Sequence, residues 1–113
     1  GVEPNTIVCN SALGACERAR RWSSGLCVLR WMPGQRATPD TITCNTVISA
    51  FEKGGQWVLA LALLWEMRVG TIAMDVITYN AVISACDKGG QWERSWALLD
   101  EMHVNAIEAD VVP

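Results

Sequence analysis

The sequence is poor in the residues that build metal and redox centres. It has a single histidine, His103, and five cysteines with no C-x-x-C pair. Structural zinc sites take four Cys or His ligands, usually in closely spaced pairs, so nothing here organises a zinc module. His103 reads as a helix-end residue. An odd cysteine count does not fit a disulfide framework, and reduced thiols in an intracellular compartment are the simplest reading. The longest apolar run, Trp57 to Trp65, falls well short of the roughly 20 residues that span a bilayer. No secretory or transit segment opens the chain. It begins with Gly1 rather than Met, which is compatible with a targeting segment upstream. There is no low-complexity tract, no phosphate-cradling loop, no H-x-E with C-x-x-C of the zinc deaminases, and no nucleophile–base constellation. The expectation is a chain with no catalytic residues, no metal and no cofactor.

Positive charge is also scarce. Nine Lys and Arg face twelve Asp and Glu, for a net charge of −3. A basic face is the usual footprint of nucleic-acid binding, so net charge alone speaks against it. The charge is uneven, however. Residues 6–40 carry Arg18, Arg20, Arg21, Arg30 and Arg36 against Glu17 and Asp40, whereas residues 76–110 carry only Lys88 and Arg94 against six acids. Placement of the charges therefore matters more than their sum.

Half of the 113 residues are apolar, enough for a packed core and too many for a disordered chain. They recur with a fixed period. Asn10, Asn45 and Asn80 are 35 residues apart, as are Trp22, Trp57 and Trp92, then Met32, Met67 and Met102, then Asp40, Asp75 and Asp110. Aligning 41–75 with 76–110 gives 20 identities in 35, and aligning 6–40 with 41–75 gives 11. The division is therefore 1–5, the tail of an upstream unit; 6–40, 41–75 and 76–110, three units; and 111–113, the start of another. The absence of polar capping units suggests a fragment of a longer array.

Each unit reads as two helices. Tyr79, Ile83 and Cys86 form an apolar stripe at i, i+4, i+7, and Gly89-Gly90 stops it. Trp92, Trp96, Leu99 and Met102 share a face of the following helix, and Trp57, Leu61, Leu64 and Met67 repeat it. First helices are expected near 6–18, 41–53 and 76–88, and second helices near 21–32, 56–68 and 91–103. The tryptophans, methionines and recurring cysteines read as core. In the first unit "RARRW" replaces "KGGQW", so the glycine stop is lost, and Pro33-Gly34 ends its second helix early. That unit should be the least regular. A lone hairpin cannot bury both faces, so the hairpins should stack into an all-α solenoid with a concave surface.

A second stripe runs along the first helices. Ile77, Asn80, Ser84 and Asp87/Lys88 lie on it, as do Ile42, Asn45, Ser49 and Glu52/Lys53, and Ile7, Asn10, Gly14 and Glu17/Arg18. Asparagine is a poor mid-helix residue, and its plain reading is a local hydrogen bond. The recurring apolar–amide–small–cation set fits a nucleotide better. The apolar side chain packs on a base, the amide offers donor and acceptor to a base edge, and the cation meets phosphate.

The segments "ITYNAVISACDKGGQWERSWALLDEM" and "ITCNTVISAFEKGGQWVLALALLWEM", with their period of 35 rather than the 34 of tetratricopeptide repeats, resemble the pentatricopeptide repeat family over nearly the whole chain. The variant "KGGQW" is similar to repeats common in algal and dinoflagellate members. The resemblance implies a right-handed α-solenoid that binds single-stranded RNA, one base per repeat, in chloroplasts or mitochondria. It implies base reading by Asn10 with Asp40, Asn45 with Asp75, and Asn80 with Asp110, a combination similar to the family's uracil-preferring one. It implies clamping of the base between Ile7 and Ile42, Ile42 and Ile77, and Ile77 and Val112, and a phosphate-facing role for Arg18, Lys53 and Lys88. Asn5 would close an upstream repeat whose reader lies outside the chain. The missing glycines at Ala19-Arg20 and the early Pro33 put the first site's geometry in question.

Two functional readings follow. The first is sequence-specific RNA binding in organellar RNA processing or stability. The alternative is a helical scaffold for protein partners, to which the acidic charge and a solenoid groove also lend themselves. Neither needs a membrane, and nothing in the sequence points to a homo-oligomer.

Overall fold

The computed structural model describes residues 4–32 and 39–104. They form six helices in chain order: α1 Pro4–Arg18, α2 Trp22–Trp31, α3 Thr41–Lys53, α4 Trp57–Val69, α5 Val76–Lys88 and α6 Trp92–Val104. Consecutive helices pair as hairpins α1–α2, α3–α4 and α5–α6. The first helices pack directly on one another, α1 on α3 and α3 on α5, while α2 touches α3 and α4 touches α5. The second helices lie farther apart, bridged by side-chain ion pairs such as Arg30–Glu66. One layer is thus close-packed and the other spread, which curves the stack with α1, α3 and α5 on the inner side. The fold is an all-α solenoid.

The local signals explain the breaks. Asp40 and Asp75 are N-caps with extended backbone, and each carboxylate accepts the N–H of the third helical residue, Thr43 or Thr78. This satisfies one of the donors that every helix start leaves open. At the other end, Gln56 N–H bonds Phe51 C=O and Gln91 N–H bonds Cys86 C=O, each at 2.8 Å. Both turns need a left-handed residue, supplied by Gly55 at φ 72° and Gly90 at φ 73°. The first hairpin keeps the same turn without glycine: Arg21 N–H bonds Cys16 C=O at 2.8 Å, and Arg20 takes φ 59°. The stop expected to be lost is retained, at the expense of a strained arginine. As expected for the least regular unit, α2 is the shortest helix, with 10 residues against 13 in α4 and α6. Pro33 and Gly34 lie outside the described residues.

The core runs continuously through the stack. Leu13, Leu29 and Met32 continue into Val47, Ile48, Phe51, Leu63, Leu64 and Met67, then into Tyr79, Val82 and Cys86. Three readings need correction. Val82 and Ala85, not Ile83, are fully buried between Tyr79 and Cys86, and Ile83 is half-buried against the core. Among the described side chains of α6 the buried one is Leu98, while Trp92 and Trp96 are 70% and 69% exposed and Leu99 is 38% exposed. Trp31 and Trp65 are also exposed, so the tryptophans are not uniformly core. The reason is visible at Trp22 and Trp57. Each lies against the glycine turn of the following hairpin, so that a Cβ on Gly54 or Gly89 would come within 2.3 Å of the indole Cδ1. A solenoid buries the start of a second helix with the next hairpin, and no described hairpin follows α6. Of the cysteines, Cys9, Cys44 and Cys86 are buried, Cys16 is half-buried and Cys27 is exposed; all are free thiols. Burial, with the charges of Asp40 and Glu66 nearby, pushes the Cys44 thiol up to about 12.

Candidate nucleic-acid interface

The second stripe survives folding as an exposed line on the inner layer. Ile7, Ile42 and Ile77 are 57%, 65% and 65% exposed. Three large aliphatic side chains at one register, left in water, need a reason that packing does not supply. One helical turn on, Asn10 and Asn45 are half-buried and Asn80 is exposed. None of the three is packed in the core.

Each of the first two asparagines sits in a network that crosses to the next unit. Asn45 Nδ2 donates to Asp75 Oδ1 at 3.2 Å. Thr78 Oγ1 lies 2.5 Å from Asn45 Oδ1 and 2.9 Å from Asp75 Oδ1. Thr78 N–H donates to Asp75 Oδ1 at 2.9 Å, and Asp75 N–H donates to Thr78 Oγ1 at 3.1 Å, closing a capping box. Thr43 repeats the pattern, 2.5 Å from Asn10 Oδ1 and 2.8 Å from Asp40 Oδ1. Partial burial pushes the Asp40 and Asp75 carboxyls upward. The backbone N–H and hydroxyl of Thr43 or Thr78, with the amide of Asn10 or Asn45, outweigh it and hold both below the usual carboxylate range. The aspartates are therefore ionised acceptors. Asp110 and Val112 lie outside the described residues, so the third pairing is not described.

The cations are less free than the stripe suggests. Lys53 Nζ pairs with Glu17 and Lys88 Nζ with Glu52, each the acid of the preceding unit. Ser49 Oγ also donates to Glu17 at 3.3 Å. The Lys53 bond, helped by its charge and by Ser49 and Arg18, holds the Glu17 carboxyl below its usual value against partial burial. Arg18 is exposed. On the outer layer, Arg30 and Glu66 form a bidentate pair, both bonds 2.7 Å. Arg68 pairs with Glu101, which also accepts from the Tyr79 hydroxyl at 2.7 Å. Among the described residues all four ion pairs join consecutive hairpins, and the outer two bridge the gap between second helices.

Sequence reasoning named the isoleucines, the asparagines and the aspartates, of which Asp40 and Asp75 are helix caps. It missed Thr43 and Thr78, whose 35-residue spacing was the available signal. It placed the lysines without their glutamate partners, which lie 36 residues upstream. Among the described residues no group of three or more His, Cys, Asp or Glu could hold a metal, and no helix is long and apolar enough to cross a membrane.

A curved stack of helical hairpins with one polar register repeated along its inner layer defines a helical-repeat protein. A PPR repeat family model matches residues 39–86, and a PPR repeat model matches residues 77–107. The chain belongs to the pentatricopeptide repeat family. Its structure is similar to that of the pentatricopeptide repeat protein PPR10, crystallised in complex with an 18-nt psaJ RNA element, with a TM-score of 0.81 and 25% identity. A form of PPR10 with three cysteines replaced by serine, bound to the same element, matches equally. Each match covers 95% of this chain and 16% of PPR10, so the chain spans about a sixth of that protein's length. No curated protein matches the chain significantly.

Proposed function

We propose that the chain is a single-stranded RNA-binding module that reads one base per 35-residue unit and prefers uracil. The units are 6–40, 41–75 and 76–110. The observation that carries the reading is the repeated triad of an exposed isoleucine, an inner-layer asparagine and an ionised capping aspartate, seen at Ile42, Asn45 and Asp75. Ile7 with Ile42, Ile42 with Ile77 and Ile77 with Val112 clamp successive bases. Asn10 with Asp40, Asn45 with Asp75 and Asn80 with Asp110 read their edges. Uracil offers carbonyl acceptors flanking an N–H donor, which an amide N–H beside a carboxylate complements. Arg18, Lys53 and Lys88 meet phosphates, the lysines by exchanging a glutamate for the RNA backbone. Catalysis has no part in the role, which is to occupy a transcript during RNA processing or stabilisation in a chloroplast or mitochondrion.

The paired lysines and the net charge of −3 keep a second reading in play, a helical scaffold for protein partners. Titration of the chain against homopolymeric RNAs and a pool of helical peptides separates the two. The RNA reading expects binding to poly(U) ahead of the other polymers and none to peptides; preference for peptides overturns it. In the same assay Asn45→Ser with Asp75→Asn moves preference from uracil toward adenine. Asparagine at 75 still caps α5, so folding is preserved. Equal loss of affinity for every RNA would make these two residues structural.

A further inference from the structure

Thr6, Thr43 and Thr78 are buried polar residues of the inner layer, and no base-reading role has been given to Thr43 or Thr78. Resting on the reading above, we infer that Thr43 and Thr78 are positioning residues that fix which end of the asparagine amide faces the RNA, and so set the discrimination between uracil and cytosine.

The chemistry of the partners orients the amide. An ionised carboxylate only accepts hydrogen bonds, so the Asn45 atom against Asp75 Oδ1 is the nitrogen. The atom 2.5 Å from Thr78 Oγ1 is then the oxygen. Asp75 N–H already donates to that hydroxyl, whose lone proton is left for an acceptor and has its shortest contact with Asn45 Oδ1. The oxygen is thereby held inward by the hydroxyl, and one N–H is held by the aspartate. What remains for the groove is the second N–H, a donor. A donor beside the acidic acceptor suits uracil, whereas cytosine places an N–H₂ donor where uracil has a carbonyl. Without the hydroxyl only the single bond from Asn45 Nδ2 to Asp75 Oδ1, at 3.2 Å, opposes rotation of the amide, and an amide that turns more often presents its oxygen to the groove. The same 2.5 Å hydroxyl contact from Thr43 to Asn10 makes the threonine hold a property of the register rather than of one residue. Thr78 belongs to the unit after the asparagine it orients, so a reader is complete only when the next hairpin is in place.

The test uses the whole chain with Thr43→Val and Thr78→Val, separately and together, and Thr→Ser at both positions. Binding to U-rich and C-rich oligonucleotides is titrated, and the asparagine side-chain NH₂ groups are followed by ¹⁵N relaxation NMR. In the wild type the Asn10 and Asn45 amides should be rigid. In the valine variants the affected amide should become mobile and the U-to-C preference should fall about fivefold per altered unit, the worth of one ordinary hydrogen bond. Serine, which keeps the hydroxyl, should restore both. Should a valine variant lose its cooperative melt, Thr→Ala removes the hydroxyl without adding a methyl and carries the same comparison. A valine or alanine variant that keeps a rigid amide, or keeps the preference, overturns the inference while the base-reading role stands. A wild-type chain that binds RNA with no base preference overturns both.

Discussion

Arg20 holds a backbone conformation that its neighbours in the series give to glycine. A non-glycine residue at φ 59° carries a steric cost of roughly 1–2 kcal/mol. Arg20→Gly should therefore stabilise the chain by about 1 kcal/mol, part of the gain being offset by the freer unfolded chain. Urea denaturation of the variant checks this, and an unchanged midpoint would mean the turn is not strained. Thr71, β-branched at φ 58°, should respond in the same direction to Thr71→Gly. At this scale the sequence was informative where one residue type recurs with no core reason to do so. Asn10, Asn45 and Asn80 stood out because asparagine does not favour helix interiors. Thr43 and Thr78 did not, because threonine in the first turn of a helix already has an ordinary explanation in capping. Their second hydrogen bond crosses to the preceding unit and is invisible along one helix.

The hairpin is the element in which glycine and tryptophan depend on each other. Gly89 and Gly90 are adjacent yet resist substitution for different reasons. At Gly89 an added methyl meets the Trp57 ring, and such overpacking costs about 1–3 kcal/mol. At Gly90 there is open space, but φ is 73°, so alanine costs about 1 kcal/mol in backbone strain. The two mechanisms separate in a double-mutant cycle. In a Trp57→Ala background the Gly89→Ala penalty should shrink markedly while that of Gly90→Ala stays as it was. Equal penalties in both backgrounds would remove the tryptophan from the account. The helices themselves were legible within two residues at every end, because caps and glycine stops are local signals. Which residue of a stripe is buried was less so. Val82 and Ile83 are equally apolar neighbours, and the choice between them depends on how neighbouring helices pack around α5.

Over the whole molecule, burial is conferred by the following unit. Trp57→Ala should cost about 3 kcal/mol, as for a packed aromatic, and Trp92→Ala, at the same register but exposed, about 0.5 kcal/mol or less; thermal melts of the two variants test the asymmetry. The carboxylates add a pH dependence. Glu17, Asp40, Glu66 and Asp75 all titrate lower in the folded chain than their ordinary values. Their stabilisation is thus present above about pH 4–5 and lost as pH falls through the depressed values, so the melting temperature should drop on acidification in that range. On the proposed RNA-binding reading, two acids of the inner layer also limit what it offers to phosphate. Glu17 and Glu52 neutralise Lys53 and Lys88 across the unit boundaries, and a phosphate must displace a carboxylate to reach either lysine. Glu17→Gln with Glu52→Gln frees both cations and moves the net charge of −3 two units toward neutrality. That variant should bind every RNA more tightly, and its log K against log salt should steepen by about 0.7 for each lysine that newly meets a single-strand phosphate. Lys53→Ala should do the reverse, weakening all sequences alike and flattening the salt dependence. The ratio between bases should be unchanged in both, because the isoleucine–asparagine–aspartate sets are untouched. A salt slope identical in wild type and in the glutamine variant would take phosphate contact away from the lysines and leave Glu17–Lys53 and Glu52–Lys88 as struts between hairpins.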